Sequence, residues 1–412
     1  MDIFSKASKN IQRFIALPLW RDFRFLSIFW LALGAIAWVT KVGHSLNNFL
    51  IFRYTFWHAI AQQPLYTEYP AEYFDTNHYG PFFSLLVAPF AYPPAWLGLL
   101  LWELMLALLL WVAIRRSTLN SYQQIFVYWF CAHELLTALF MSQFNIAIAA
   151  LMVLAFTMIE KEKDGWAAFF IILGAFVKIY TLAGLAFFFF SKHKLRFILS
   201  LIGWSVVMFV APMVISSPEY IIDQYQAWKV SLTEKNALNM FAQGQNISLL
   251  GIAHRWSGCY TFSDLWLIIP GMIAFCAPYL RIKQWKNSLA FRQMFLASAL
   301  MFILLFSSGS ESSGYIIALI GVVIWYACVP WKRNKWDIAL MVFAFILCSM
   351  SPSDLMPKYL REEWIKPYAL KALPCVIIWF KLCWEMLTKD YSLTHPSPSF
   401  CRRAKCREGA NK

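Results

Sequence analysis

Residues 66 to 81 read "YTEYPAEYFDTNHYGP" and set Glu68, Glu72, Asp75 and His78 among four tyrosines. The acids fall three or four residues apart, the spacing that places side chains on one face of a helix, although Pro70 argues for partly irregular backbone. A carboxylate surrounded by aromatics at a membrane surface is partly desolvated, which raises its pKa. Such a group can take a proton from an approaching hydroxyl, so the chemistry expected here is general base catalysis. A solvated loop whose acids meet only water is the alternative reading of the same residues.

Further polar residues interrupt apolar stretches. Lys178, in "GAFVKIYTLAGL", ends a long apolar run, where a cation suits either a phosphate or a headgroup reached by snorkelling. Gln143 and Asn145 open "SQFNIAIAAL", Asn246 sits in "GQNISLLGIAHRW" ahead of His254 and Arg255, and Glu311 lies in "SSGSESSGYIIAL". Polar knots of this kind are often interhelical hydrogen bonds. Several at one depth, beside two large loops, favour a shared site. Glu103 and Glu134 fall inside apolar segments and are expected to make interhelical hydrogen bonds or to be protonated. No nucleotide-binding glycine loop, HExxH or comparable metal set occurs, so neither a metal nor a cofactor is expected. Of the nine cysteines only Cys259 reads as external. Cys401 and Cys406, separated by four residues, have no His/Cys partners for zinc.

The elements that must position these residues follow from composition. The chain has 412 residues, 60% hydrophobic and 14% charged, against roughly half and a quarter in soluble domains. Apolar windows recur at 25–42, 95–114, 122–138, 143–160, 165–178, 179–190, 196–215, 263–281, 291–307, 313–330, 335–350 and 367–387. Many approach the roughly 20 residues that cross a bilayer. The expected fold is therefore an all-α polytopic membrane protein with about 12 transmembrane helices. The pieces meeting at 178/179 are short enough to be broken or re-entrant. With the N-terminus inside, inner segments carry 25 Lys and Arg and outer loops 9. This bias follows the positive-inside rule, puts both termini in the cytoplasm, and explains the net charge of +14 without nucleic acid.

Three parts follow: a basic N-terminus over 1–24, a membrane domain over 25–387, and a basic tail over 388–412 expected to be disordered. The first span reads as an uncleaved anchor. Large outer loops are expected over 41–94 and 216–262. Their segments "NNFLIFRYTFWHAIAQ" and "SPEYIIDQYQAWKVSL" are expected to lie as interfacial helices, and "GPFFSLLVAPFAYPP" as a short helix dipping into the membrane before the second span.

Several stretches resemble glycosyltransferase family 87, a member of the GT-C class of polytopic enzymes, and most resemble its branch from Bacteroidetes-type bacteria. They are "NNFLIFRYTFWHAIAQQPLY", "YPAEYFDTNHYGPFFSLLVAPFAYPPAWLGLLLWE", "QFNIAIAALMVLAF", "GAFVKIYTLAGL", "QNISLLGIAHRWSG", "SSGSESSGYIIAL" and "SPSDLMPKYLREEWIKPYALKALPC". They run in order over roughly residues 25–385. Each motif is weak by itself; together and in register they are specific.

The resemblance implies a GT-C fold in a bacterial inner membrane with the active site facing the periplasm. It implies a polyprenyl-phosphate sugar donor, a hexose such as mannose, and a lipid or glycan hydroxyl acceptor. A carboxylate in the first outer loop would deprotonate the acceptor, the lipid phosphate would leave, and configuration would invert. Charge on the phosphate would come from Lys178, Arg255 or His78, and Asn48, Gln143, Asn145, Asn246 and Glu311 would contact substrate. One departure stands out. The family's essential Asp near the start of the first outer loop aligns with Asn48, and an amide is no base. The expected replacement is Asp75, followed by Glu72 and Glu68. Two other readings remain: a lipid or glycan transporter of flippase type, and a catalytically inactive relative.

Overall fold

In the computed structural model, residues 17–239, 242 and 244–392 are described. The first sixteen residues of the basic N-terminus, most of the tail, and Cys401 and Cys406 lie outside them. Helices dominate, and no strand occurs among the described residues.

The first helix, α1 (Phe23–Val42), starts where the Asp22 carboxylate accepts from the Arg24 amide at 2.7 Å. Next come α2 (Asn47–Ile60), α3 (Phe82–Ala91, with Pro89 inside it) and α4 (Ala95–Arg116). The window 122–138 is two helices, α5 (Ser121–Phe130) and α6 (Ala132–Phe140), the former begun by an Asn120–Gln123 capping box. Then follow α7 (Asn145–Glu160), α8 (Asp164–Ala175), a 3-10 helix (Ile179–Phe190) and α9 (Lys194–Val210). The expected discontinuity near 178/179 is a real break: Lys178 is extended (φ −147°, ψ 119°) between α8 and the 3-10 helix.

Beyond it lie α10 (Pro218–Asn239), α11 (Leu249–Ser257), α12 (Leu265–Cys276), α13 (Leu289–Leu305), α14 (Tyr315–Ala327), α15 (Lys335–Ala344) and α16 (Leu373–Thr388). Two π-helical turns, Phe345–Met350 and Arg361–Ile365, interrupt the last third.

Helices that are apolar all round belong in the centre. In α7 every residue except Met158 and Glu160 is buried, and α13 and α14 are nearly as enclosed. Gly321 permits the close crossing of α14 on α13, since a Cβ there would lie 2.7 Å from the Ala297 carbonyl. The periphery is the reverse. In α9 only Phe197 and Met208 are buried, leaving Leu195, Leu199, Ile202 and Val206 exposed.

Among the described residues three helical stretches are long and apolar enough to cross a membrane: Phe23–Val42, Ala95–Arg116 and Lys194–Val214. Seven more apolar helices among the described residues run 10–17 residues, short of the roughly 20 that a straight crossing takes. The architecture is therefore that of a membrane protein, with many of its apolar windows realised as short, broken or 3-10 segments.

Candidate functional site

The first long loop is irregular from Ala61 to Pro81, so its acids share no helical face and part company. Glu68 is exposed. Glu72 Oε2 meets His58 Nε2 at 2.8 Å, and burial pushes the His58 imidazole below its ordinary pKa against the pull of Glu72. Asp75 is 61% exposed, with Oδ2 3.8 Å from Lys235 Nζ and Oδ1 3.9 Å from His78 Nε2. His78 above all, with the Thr76 amide and Lys235, holds the Asp75 carboxyl down at about 2, while partial burial pushes the other way. Its backbone is left-handed, at φ 75°.

What fixes Asp75 is the residue before it. The Asn47 side chain donates to the Phe74 carbonyl at 2.8 Å and accepts from the Phe74 amide at 2.7 Å. Asn48, next along α2, donates from Nδ2 to the Met141 carbonyl at 2.8 Å. The start of α2 thus holds both Phe74, the residue before Asp75, and, through Asn48, the Met141 carbonyl between α6 and α7.

The second long loop closes over the first. The α10 helix sets Tyr220, Gln224, Trp228, Ser231 and Lys235 at helical spacing, on one face. Tyr220 Oη donates to the Gln63 carbonyl (2.6 Å), and Gln224 Oε1 accepts from the Leu65 amide (2.9 Å). Trp228 Nε1 donates to the His78 carbonyl (2.9 Å), while His78 Nδ1 pairs with Ser231 Oγ (3.1 Å). The aromatic periodicity read as an interfacial face is in large part a docking face for the first loop. The loop end is pinned too: the Gly80 amide donates to the Val177 carbonyl at 3.1 Å. A Cβ on Gly80 would lie 2.2 Å from the Phe176 carbonyl, so only glycine allows that approach.

At that break stands Lys178. Its Nζ donates to Asn145 Oδ1 at 2.9 Å and lies 4.8 Å from the Tyr180 ring centroid. Asn145 Nδ2 donates to Gln143 Oε1 (2.9 Å) and Ser313 Oγ (3.2 Å), and Gln143 Nε2 donates to Glu311 Oε2 at 2.6 Å. Four residues singled out from three distant segments therefore form one continuous network.

Its hub is the turn Ser307–Gly314, from which sequence reasoning selected Glu311 alone. Ser307 Oγ meets Tyr180 Oη at 3.2 Å, and Ser308 Oγ bonds Asn236 Oδ1 of α10. The Ser310 carbonyl accepts from the Ile247 amide at 2.9 Å. Ser312 receives Lys371 Nζ at both its carbonyl and its hydroxyl, each at 2.9 Å. The available signal was a run of serines and glycines, "SSGSESSG", between two largely apolar helices.

Two predicted contacts play local roles. Asn246 is buried in left-handed backbone (φ 51°) and accepts from Ser248 Oγ at 2.6 Å, shaping the start of α11. Arg255 directs its guanidinium to the carbonyls of Gln245 (2.8 Å), Ala242 (3.1 Å) and Lys366 (3.1 Å), which ties Ala242 and Gln245 to the last third of the chain. Inside the apolar segments, Glu103 accepts from Ser142 Oγ at 2.5 Å, and Glu134 forms a buried ion pair with Lys371 at 2.8 Å. Among the described residues no group of three or more His, Cys, Asp or Glu is arranged to hold a metal ion.

The fold and this network define an all-helical membrane-type protein in which two long loops meet over a polar junction of broken helices. The chain belongs to glycosyltransferase family 87, whose family model matches residues 77–308, more than half its length. No curated protein and no solved structure matches it. The matched region takes in His78, Gln143, Asn145, Lys178, Asn246 and Arg255. It begins just after Asp75 and ends at Ser308, before Glu311. Family membership makes glycosyl transfer the class of activity.

Proposed function

We propose that the protein is an inverting, integral-membrane hexosyltransferase. It would move a mannose-like sugar from a polyprenyl phosphate to a lipid or glycan hydroxyl on the periplasmic side of the bacterial inner membrane. A donor anchored in the bilayer suits a site at the ends of membrane-type helices, and a phosphate leaving group suits the Lys178 ammonium at the chain break.

Asp75 is the base in this reading, with Glu72 and Glu68 behind it. The observation that carries the assignment is the Asn47–Phe74 clamp, which brings an acid to the end of α2 where Asn48 has none to offer. Asp75 is ionised throughout the neutral range and exposed enough to meet an acceptor. Glu72 already faces His58, which leaves it a structural partner first. Asp75 takes the acceptor proton as the hydroxyl oxygen bonds the anomeric carbon. The bond to the phosphate oxygen breaks with its electron pair, and inversion follows from attack opposite the leaving group. Lys178 and His78 hold the phosphate, and Asn48, Gln143, Asn145 and Glu311 orient the sugar. Asn246 and Arg255 act by fixing the chain around them. No metal is invoked.

The test is release of lipid phosphate by the purified full chain, given a panel of polyprenyl-phosphate sugars and acceptors. Turnover lost in Asp75→Asn supports the reading. If Asp75→Asn and Glu72→Gln both keep full turnover, the base is elsewhere. If no donor is consumed but lipid crosses a liposome bilayer, the protein is a transporter.

A further inference from the structure

A cavity of about 320 Å³ adjoins the Ser307–Gly314 turn. Its polar lining includes Ser312, Ser351, Arg361, Glu362, Lys366 and Lys371. Consecutive residues of the turn connect it to the network above, since Glu311 bonds Gln143 while Ser312 bonds Lys371.

The charges of the lining come already matched. Lys366 Nζ lies 2.8 Å from Glu362, Arg361 is 3.2 Å from Glu362 and 3.0 Å from Asp354, and Lys371 is 2.8 Å from Glu134. The second oxygen of Glu134 is buried without a hydrogen-bond partner. A phosphate entering here would have to compete with carboxylates for every cation. A neutral polyol meets donors and acceptors together, in hydroxyls and in the free lone pairs and N–H groups of the ion pairs. The volume lies at the small end of ligand pockets, roughly 300–1,000 Å³, which suits a sugar ring and not a long lipid.

The backbone around the cavity is independently unusual. The π turn Phe345–Met350 ends at Ser351, the π turn Arg361–Ile365 supplies Arg361 and Glu362, and Ala369, also in the lining, is left-handed at φ 52°. Such turns and non-glycine left-handed residues cost free energy and gather where a site is shaped.

We propose that this cavity seats the neutral sugar end of the acceptor, beside the network that holds the donor. The inference rests on the glycosyltransferase reading for the word acceptor, but the binding itself is testable without turnover. The full chain, in a detergent without a sugar headgroup, is photolabelled with a diazirine-bearing octyl β-glucoside. Label should fall within residues 345–371. Unlabelled octyl β-glucoside should displace it, and octyl phosphate should not. Ser351→Phe, which fills the cavity, and Glu362→Gln, on a partly exposed side chain that threatens folding less, should each weaken labelling about tenfold. Labelling on other segments, displacement by octyl phosphate, or wild-type labelling of both variants overturns the assignment. If the wild-type protein transfers sugar while both variants keep its labelling and its acceptor KM, the transferase reading stands and the cavity assignment falls.

Discussion

Asn47 and Phe74 hold one another through two hydrogen bonds, 2.8 and 2.7 Å long, across 27 residues of chain. One amide side chain thereby fixes both backbone groups of the residue before Asp75, at the end of α2 that also carries Asn48. The clamp is positional, and its removal separates geometry from charge. Asn47→Ala loses two hydrogen bonds, about 1–3 kcal/mol. The expected outcome is a fall in kcat larger than the loss of thermal stability implies, with donor KM little changed. Equal losses in stability and kcat would reduce the clamp to a structural contact.

Asp75→Asn should remove at least about a thousandfold of transfer, the upper part of what general base catalysis contributes. Its effect on Tm should be small. The carboxylate is 61% exposed and its neighbours stand 3.8–3.9 Å away, so the ion pairs contribute less than about 1 kcal/mol. Glu72→Gln should show the opposite balance, because its partner His58 is buried. Initial rates alongside thermal melts distinguish the two.

The pH profile follows from the depressed Asp75 carboxyl. A group held at about 2, below its ordinary 3.8, adds stability above 3.8 that is lost as pH falls through about 2. As the base it stays ionised, so kcat/KM should show no Asp75 limb between pH 7 and pH 3. Replacing His78, the largest cause of the depression, with Phe raises that pKa towards its ordinary value and should bring an acid limb into view near pH 4. A profile indifferent to His78→Phe would dissociate Asp75 from the rate.

Gly80→Ala probes the docking of the first loop on the helix break. Its Cβ would meet the Phe176 carbonyl at 2.2 Å and Trp228 at 3.0 Å. Overpacking of this kind costs about 1–3 kcal/mol. Displacement of the loop from Lys178 should raise donor KM, which donor titrations would read directly.

The pair Lys371–Glu134 should show strong coupling. Lys371→Met leaves a buried carboxylate uncompensated, a loss of about 3–5 kcal/mol, whereas Lys371→Met with Glu134→Leu should recover much of it. A double-mutant cycle on thermal stability measures this, and additive losses would mean the two side chains do not depend on each other.

The sequence by itself determined the class of structure. Its apolar windows could only form helices, because period and hydropathy are local properties that survive without knowledge of the partner. It also exposed the chemistry-bearing residues, since an ionisable or amide group in a chain 14% charged is conspicuous wherever it falls. Family resemblance pointed to Asn48 as a position where an acid is expected.

Only the tertiary structure decided which of these residues meet. The spacing of Glu68, Glu72 and Asp75 suggested a shared face, yet their loop is irregular and only Asp75 is held by the clamp beside Asn48. Arg255 read as a phosphate ligand, and only packing shows that its guanidinium reaches three carbonyls. Lys371 drew no attention, and it meets Glu134 across 237 residues. From the 307–314 turn only Glu311 was singled out, and its serines proved to be the junction of five segments. Hydrogen bonds between distant segments depend on how helices cross and where they break. Those are properties of packing, and no local pattern encodes them.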